Sequence, residues 1–466
     1  MEHFPTDLQQ TLRLHHQEHV LDWWETLSAL GRSRLVEQLR QVDFPLLLSV
    51  LNADRSGGRD SGPSRAEQAM VPRNVIRLPA TDDDRRERER AAAAGEGLLR
   101  GGRVAVVTVA GGQGTRLGFD DPKGVFPIGP VSERSLFQVF AEQILARSRR
   151  HGVRMPWLIM TSTATHEPTV QFFQQRDFFG LPEDDVRFFC QGSLPAVDAV
   201  SGRLLRDRPD SLCLSPDGHG GLVTALKNSG LLDALLQQGV EHLFYHQVDN
   251  PTVIMLDPVL IGLHSRQRAE VSTVVVRKVR PEERMGALVD IGGRTEIIEY
   301  SELSPEQVTR TDETGEHVFW AGNTAIHVFD TAFLDRLSTG SGQLPLHLAR
   351  KAVPHLSESG ERIEPESPNA FKLERFIFDA LPMAERTLIV EGDRDREFNP
   401  VKNAEGADSP ETARTALSRI ARDWLRQAGV AVPEFGPVEI SPLTALDPEE
   451  LRQKALAGEI NADMFR

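Results

Sequence analysis

The sequence predicts an α/β fold: a mixed, mostly parallel, Rossmann-like sheet with a helical N-terminal region and a small C-terminal domain. Three observations carry this. From Arg103 onward, short apolar runs alternate with amphipathic segments, the pattern of a largely parallel sheet with helices on both faces. The first run, Val104–Val109, opens straight into a glycine-rich loop, Gly111–Gly118. The chain before Arg103 instead reads as successive helices. The expected domains are 1–100, helical; 101–390, the α/β core; and 391–466, a C-terminal domain.

Each element has its own signal. Pro5 and the capping-box pattern Thr6-Asp7-Leu8-Gln9 start a long amphipathic run, with Gly31 as its stop. Arg34–Val42 places Leu35 and Leu39 on one helical face, and Phe44–Leu51 is short and apolar. Ala53–Ser64, rich in Gly, Ser and Asp, reads as a linker or surface loop. Asp82–Arg90 reads as a solvated helix face. In the core, Ser135–Ala146 aligns Leu136, Val139, Phe140 and Ile144 at helical spacing. Further strands are expected at Trp157–Met160, Val186–Phe189, Leu243–Gln247, Val271–Val279, Ile297–Tyr300, Thr324–Phe329 and Thr387–Glu391. Helices are expected near Glu167–Gln174, Leu222–Lys227 and Pro258–Ser265. Ser409-Pro410 resembles an N-cap with proline at the first helical position, opening a helix that carries Leu417, Ile420, Ala421, Trp424 and Leu425. No internal repeat at a fixed period is found.

Composition narrows the function. A chain of 466 residues exceeds one small core. Its 39% hydrophobic and 26% charged residues are ordinary for a globular protein. No apolar run approaches the ~18 residues a membrane span needs. The opening MEHFPTDLQQ lacks the basic-then-apolar order of a secretory signal. Cys190 and Cys213 are too few for a disulfide framework or a cysteine zinc site, and a reducing cytoplasm is the expected compartment. A net charge of −15 argues against nucleic-acid and anionic-membrane partners, but not against a small phosphorylated ligand held by a few local cations.

The glycine loop is where such cations gather. Val109-Ala110-Gly111-Gly112-Gln113-Gly114-Thr115-Arg116-Leu117-Gly118 runs on to Asp121-Pro122-Lys123-Gly124. Glycine lets backbone N–H groups approach an anion without a Cβ in the way. Arg116 offers a planar fork and Lys123 a point charge for phosphate oxygens. A P-loop would require Gly-Lys-Ser/Thr, which is absent, and Leu117 stands where a dinucleotide motif needs its third glycine. The glycines alone would fit a plain strand-to-helix turn. The added Arg and Pro-Lys-Gly point to phosphate.

The run Gly111–Gly118 followed by Pro122-Lys123-Gly124 resembles the signature of sugar-nucleotide pyrophosphorylases. The wider chain is similar to the UDP-N-acetylhexosamine pyrophosphorylase family, within the UDP-sugar pyrophosphorylases (UDPGP type 1). The resemblance extends from QEHVLDWW to SPETARTAL and is carried by FCQGSLPA, SPDGHGG, QVDNPTV, EYSEL, AGNTAIHVF, NAFKLERFIFDAL and FNPVKNAEG. It implies a GT-A-like nucleotidyltransferase core that joins UTP to a sugar 1-phosphate with Mg²⁺ and releases pyrophosphate.

The resemblance also assigns roles. Ala110, Gly111, Gly112, Gln113, Gly114 and Thr115 form the nucleotide loop, with Arg116 and Lys123 as catalytic cations. Gln191 matches a glutamine that reads the uracil edge, a task suited to an amide that donates and accepts. Gly218 matches a glycine packed under the nucleoside; by itself it would be a helix-entry turn. Asp249, at a strand end, is placed to hold Mg²⁺, whereas its plain reading is a turn cap. Lys372 and Lys402 match lysines directed at phosphates, Lys402 at the sugar phosphate; alone, each would be a solvent-facing lysine. His219, Glu299, Tyr300 and Asn323 match sugar-site positions, the last three otherwise ordinary strand residues. His15, His16 and His19 have metal-like spacing with no supporting carboxylate, and read as a helix face. Trp23 and Trp24 read as interdomain packing.

A sugar 1-phosphate is already an anionic nucleophile, so no general base is expected, and catalysis reduces to positioning and charge neutralisation. The open point is the sugar. N-acetylhexosamine enzymes usually have asparagine where this chain has His219, which matches the Gly-His-Gly run of glucose and broad-specificity relatives. EYSEL and AGN favour the N-acetylhexosamine branch, with GlcNAc-1-phosphate the expected substrate. UTP–glucose-1-phosphate or broad-specificity transfer is the alternative, and a non-catalytic nucleotide-sugar sensor a remoter one. Intact Arg116, Lys123 and Lys402 argue against the sensor.

Overall fold

The computed structural model describes residues 4–55, 64–339, 343–460 and 465. The chain packs into two compact units, neither of them consecutive in sequence. The smaller comprises 1–63, 191–221 and 344–379, and the larger 64–190, 222–343 and 380–466. These limits do not coincide with the expected boundaries at 100/101 and 390/391. The glycine-rich end of the linker expected at Ala53–Ser64 falls outside the described residues, and the helix before it, Phe44–Arg55, runs into its start.

The larger unit is built on a ten-stranded sheet. Its strands are β1 (Val75–Ile76), β2 (Val104–Val109), β3 (Trp157–Thr161), β4 (Val186–Cys190), β5 (His242–Gln247), β6 (Val271–Arg277), β7 (Ala287–Ile291), β8 (Arg294–Ile298), β9 (Ala321–Asp330) and β10 (Thr387–Glu391). The order is β1-β10-β6-β9-β5-β2-β3-β4, with the β7–β8 hairpin paired to β9. All neighbours on the main path run parallel except β9, which is antiparallel to both β5 and β6. The sheet is therefore mixed and mostly parallel, as expected. Its core is the run of strand residues such as Val106, Trp157, Ile159 and Phe244, packed against Phe137 and Phe140 of the helix Leu136–His151. That helix starts where the sequence placed it, the Ser135 side chain accepting from the Gln138 N–H.

Two further helices, Asp82–Arg100 and Pro258–Arg266, cross at their glycines. A Cβ on Gly262 would stand 1.7 Å from the Ala91 carbonyl oxygen, and one on Gly95 1.9 Å from that of Pro258. Only glycine permits this approach. Farther along, Ser409 caps the helix Pro410–Ala428 with proline at its start, as predicted.

In the smaller unit, Leu8, Leu12, Trp24, Leu35 and Leu39 close on Val197, Leu204, Leu212 and Leu373. Four expectations change here and nearby. The first helix ends at Leu14, its N-cap is Pro5 and no Thr6–Gln9 capping box forms. Gly31 does not stop a helix; it lies inside Ala29–Arg40, where a Cβ would press on Asp210 at 3.1 Å. Trp23 and Trp24 pack within this unit rather than at a domain boundary: Trp24 joins its core, and the Arg206 guanidinium lies 3.6 Å from the Trp23 ring centroid. In the larger unit, β8 ends at Ile298, so Tyr300 sits in a 3₁₀ turn and not in a strand. The histidine group proves structural: His19 Nε2 lies 2.8 Å from the Leu204 oxygen, and His15 stacks on Phe44.

Among the described residues, no helix is long and apolar enough to cross a membrane.

Candidate active site

In the larger unit, parallel strands β2, β3, β4 and β5 end on one crest, the place where open α/β sheets bind ligands. The glycine loop leaves β2 there. The Ala110 N–H donates to the Met160 oxygen at 2.7 Å, and Ser162 Oγ donates to the Gly111 oxygen at 2.9 Å. The loop then folds on itself: Gly114 N–H to the Asp121 oxygen at 3.1 Å and Lys123 N–H to the Gly112 oxygen at 3.2 Å. Gly118 takes the left-handed conformation, φ +67°. A Cβ on Gly114 would strike Phe119 at 2.8 Å, whereas open space lies where a Cβ on Gly112 would stand. Packing thus demands glycine at 114 and not at 112. Gln113, Thr115 and Arg116 are exposed and Lys123 half-buried. Among the described residues neither Arg116 nor Lys123 has an ion-pair partner, although about half of the chain's cations find one.

Strand β5 delivers Asp249, half-buried. The next residue, Asn250, is a clamp the sequence did not flag. Its Oδ1 accepts from the Asn399 N–H (3.1 Å) and Thr252 Oγ1 (3.0 Å), while its Nδ2 donates to the Glu397 oxygen (2.7 Å). The Val401 N–H donates to the Asp249 oxygen at 2.8 Å. These bonds bring Asp249 and Lys402 together from positions more than 150 residues apart. The Lys402 ammonium stands 5.4 Å from the Phe398 ring centroid. Burial pushes the Asp408 carboxyl up, against the pull of the nearby Lys402 charge.

Asn323 and Glu299 both lie next to Gly286. A bulge in β9 at the β6 register shift puts Ala325 at φ +56° and turns the Asn323 amide back on its own strand, Oδ1 accepting from the Ala325 N–H at 3.0 Å. The Asn323 N–H donates to the Gly286 oxygen at 2.8 Å, and a Cβ on Gly286 would lie 2.8 Å from Glu299 Oε1. Glu299 also caps the turn Tyr300–Glu302, and Tyr300 is exposed. Lys278, unremarked in the sequence, belongs to this group: burial lowers its amine despite the nearby charges of Glu283 and Glu299. Its only sequence signal was its place at the end of a strand.

The smaller unit carries Gln191, Gly218, His219 and Lys372. The first three share one knot with Asp217 and Arg375. The Arg375 N–H donates to the Asp217 oxygen (2.7 Å), the Gly220 N–H to the Arg375 oxygen (2.8 Å), and Gln191 Nε2 approaches the Gly218 oxygen at 3.5 Å. Gly218 has φ +83°, and its Cβ would stand 2.4 Å from the Arg375 oxygen. His219 Nδ1 accepts from the Ile377 N–H at 3.1 Å, and its ring lies against Phe376 and Phe378. Burial pushes its pKa down to about 4, so the ring is neutral and its proton is on Nε2. Lys372 lies half-buried on the strand Ala370–Glu374.

Asp217 is enclosed by glycines, since a Cβ on Gly221 or Gly192 would fall 2.1 or 2.6 Å from its oxygens. Burial, only partly offset by Arg375, raises its pKa to about 6. A folded pKa above the unfolded one means that the unfavourable ionised form sets in as pH rises from about 4 through 6. Asp217→Asn is therefore expected to raise stability at pH 7.5 by about 1–3 kcal/mol, with the gain fading towards pH 4. Thermal unfolding of both proteins across that range checks it; a gain independent of pH would refute the assignment.

Among the described residues no three His, Cys, Asp or Glu cluster as a metal cage. In phosphoryl-transfer sites magnesium is commonly held by one or two carboxylates plus substrate phosphates and water. The Asp249 carboxylate, without an ion-pair partner among the described residues, is suited to that part.

The glycine loop thus leaves the end of β2, and Asp249 beyond the end of β5 is tied through its backbone oxygen to the segment that carries Lys402. The chain belongs to the UTP–glucose-1-phosphate uridylyltransferase (UDPGP) family, whose profile matches residues 64–409. It is an enzyme of the UDP-sugar pyrophosphorylase class. It is 35% identical to the UDP-N-acetylglucosamine diphosphorylase 2 of Arabidopsis thaliana, across 95% of this chain and 90% of that one. It is 33% identical to the UDP-N-acetylglucosamine pyrophosphorylase of Saccharomyces cerevisiae, across 96% and 97%. Among solved structures, the uridine diphosphate N-acetylglucosamine pyrophosphorylase of Trypanosoma brucei superposes with a TM-score of 0.82 at 27% identity, covering 98% of this chain and 96% of that one.

Proposed function

We propose that the enzyme joins UTP to N-acetylglucosamine 1-phosphate, releasing pyrophosphate. The observation that carries this reading is the bond from the Val401 N–H to the Asp249 oxygen, which sets Lys402 beside the Asp249 segment, with none of the charges of Asp249, Lys402, Arg116 and Lys123 spent on a protein ion pair among the described residues. The relatives' names supply the sugar.

In this reading a phosphate oxygen of the sugar 1-phosphate attacks the α-phosphorus of UTP in line. The bond from that phosphorus to the bridging oxygen breaks, and pyrophosphate leaves with the electron pair. Lys402 orients the incoming phosphate. Arg116 and Lys123 neutralise charge growing on the leaving group, helped by backbone N–H groups of Ala110–Thr115. The open space at Gly112 supports close approach of the triphosphate. Mg²⁺ held by Asp249 supplies further positive charge when bound. Gln191 reads the uracil edge, Gly218 packs under the nucleoside, and Lys372 is a further phosphate cation. Glu299, Tyr300 and Asn323 carry the sugar-contact role that the resemblance implies, with Lys278 a further cation near Glu299, and the resemblance gives His219 such a role as well. The compartment is a reducing cytoplasm in this reading.

A second reading, transfer to glucose 1-phosphate, is kept for His219 alone. Pyrophosphate release is to be measured with UTP and each of GlcNAc-1-phosphate, GalNAc-1-phosphate and Glc-1-phosphate. The expected result is the highest kcat/KM with GlcNAc-1-phosphate. Preference for Glc-1-phosphate would move the enzyme to the second reading, and nucleotide-sugar binding with no release would make it a sensor.

A further inference from the structure

Away from these residues the larger unit holds a cavity of about 90 Å³. Leu417, Ile420 and Trp424 of the helix Pro410–Ala428 and Ile440 and Leu446 of the chain beyond it form an apolar wall. A water-sized guest needs ~10–15 Å³ of such space, so there is room for roughly six to nine heavy atoms.

One cation interrupts that wall. The Arg396 guanidinium stands 5.0 Å from the Trp424 ring centroid. Its neighbours Arg394, Arg419 and Arg422 are bonded to Glu283, Asp395 and Pro433. The Arg396 side chain has no such hydrogen-bond or ion-pair partner among the described residues. Asp257, Asp393, Glu397 and Asp447 act on it only from farther off. Glu439, the one carboxylate in the lining, is already engaged by the Val131 and Ser132 N–H groups, the Ser132 hydroxyl and Arg134. An apolar cavity with a single unengaged guanidinium is complementary to one kind of guest, a compact apolar body bearing one negative charge.

The opposite wall leads to the catalytic crest. Thr252 lines the cavity, donates through Oγ1 to Asn250 Oδ1 at 3.0 Å and accepts from Asn399 Nδ2 at 3.1 Å. Those two asparagines fix the chain on either side, at Asp249 and at Val401-Lys402.

We propose that this cavity binds a small monocarboxylate, its charge on Arg396 and its apolar body on Trp424 and Ile420, and that occupancy is felt at Asp249 and Lys402 through Thr252 and Asn399. The transmission rests on the catalytic reading of those two residues; the binding site does not.

Benzoate and isovalerate, titrated into the full chain by calorimetry beside benzamide and isovaleramide, test it. The acids are expected to bind in the millimolar range and the neutral amides at least about tenfold more weakly, as the loss of a charge-assisted hydrogen bond requires. Arg396→Gln should bring the acids to the level of the amides. Ala421→Leu, which fills the cavity and keeps the arginine, should abolish both. Acids no tighter than amides, or acid binding undiminished in Ala421→Leu, overturn the site. The comparison of acid with amide on the unaltered chain stands even if either variant fails to fold. With benzoate saturating, kcat or KM for the sugar 1-phosphate should change at least about twofold. Unchanged kinetics with benzoate bound would overturn the transmission alone. An enzyme inactive both with and without benzoate would sink the uridylyl-transfer reading and leave the site standing.

Discussion

Lys123→Ala is expected to lower kcat by about 10²–10³-fold and leave the fold intact, because the ammonium serves charge developing on the substrate and nothing in the protein. The backbone holds this position independently of the side chain. The Lys123 N–H donates to the Gly112 oxygen, and the Val125 N–H to the Pro122 oxygen at 2.9 Å. Gly124 next to it is buried so tightly that a Cβ would enter the Phe137 ring at 2.1 Å. Removing a lysine side chain with no ion-pair partner among the described residues costs stability within about 0.5 kcal/mol. Turnover and thermal unfolding are to be measured on one preparation. Near-normal turnover would remove Lys123 from the machinery, and a large fall in Tm would make it structural.

The largest stability effect is expected at the helix crossing. Gly262→Ala puts a methyl 1.7 Å from a backbone oxygen of Ala91, and neither partner is a flexible side-chain end that can swing aside. The helices must separate, at a cost of about 3 kcal/mol or more. In a unit of this size that is a fall in Tm of roughly 4 °C or more. The neighbouring helix supplies its own control. A Cβ on Gly97 meets nothing within 4 Å, so Gly97→Ala should be neutral or stabilise by about 0.5–1 kcal/mol through helix propensity. Equal effects at Gly262 and Gly97 would show that the crossing is looser than its geometry states.

These two tests sit on opposite sides of what a sequence can disclose. Thr387–Glu391 and Val104–Val109 form strands at the predicted limits because apolar runs bounded by turn residues are local signals. Ser409 and Ser135 cap helices for the same reason. The direction of β9 was not legible, since a mostly buried strand reads alike in either orientation. Nor was the fate of Trp23, Trp24 and Gly31, whose partners Arg206 and Asp210 lie far along the chain. The site divides in the same way. The cations of the glycine loop stood out because the loop is continuous. Asn250 and Asp217 did not, because an asparagine becomes a clamp only when Asn399 arrives, and a glycine-flanked aspartate becomes buried only when Arg375 folds over it. Lysine usage offered one global hint: only seven lysines occur among 53 basic residues, and three of them are Lys123, Lys372 and Lys402.

The discontinuous smaller unit has a consequence for biosynthesis. Leu12, Leu35 and Leu39 are finished early, but their cover includes Leu373. At ~5–20 residues per second, the ribosome needs roughly 15–60 s to travel from the end of the third helix to that leucine. Throughout that interval the nascent N-terminal helices carry apolar faces without their final cover, exposed to holdases and to neighbouring chains on the polysome. A truncated transcript ending before Leu373 would make that exposure permanent, so such products should be the aggregation-prone and rapidly degraded ones.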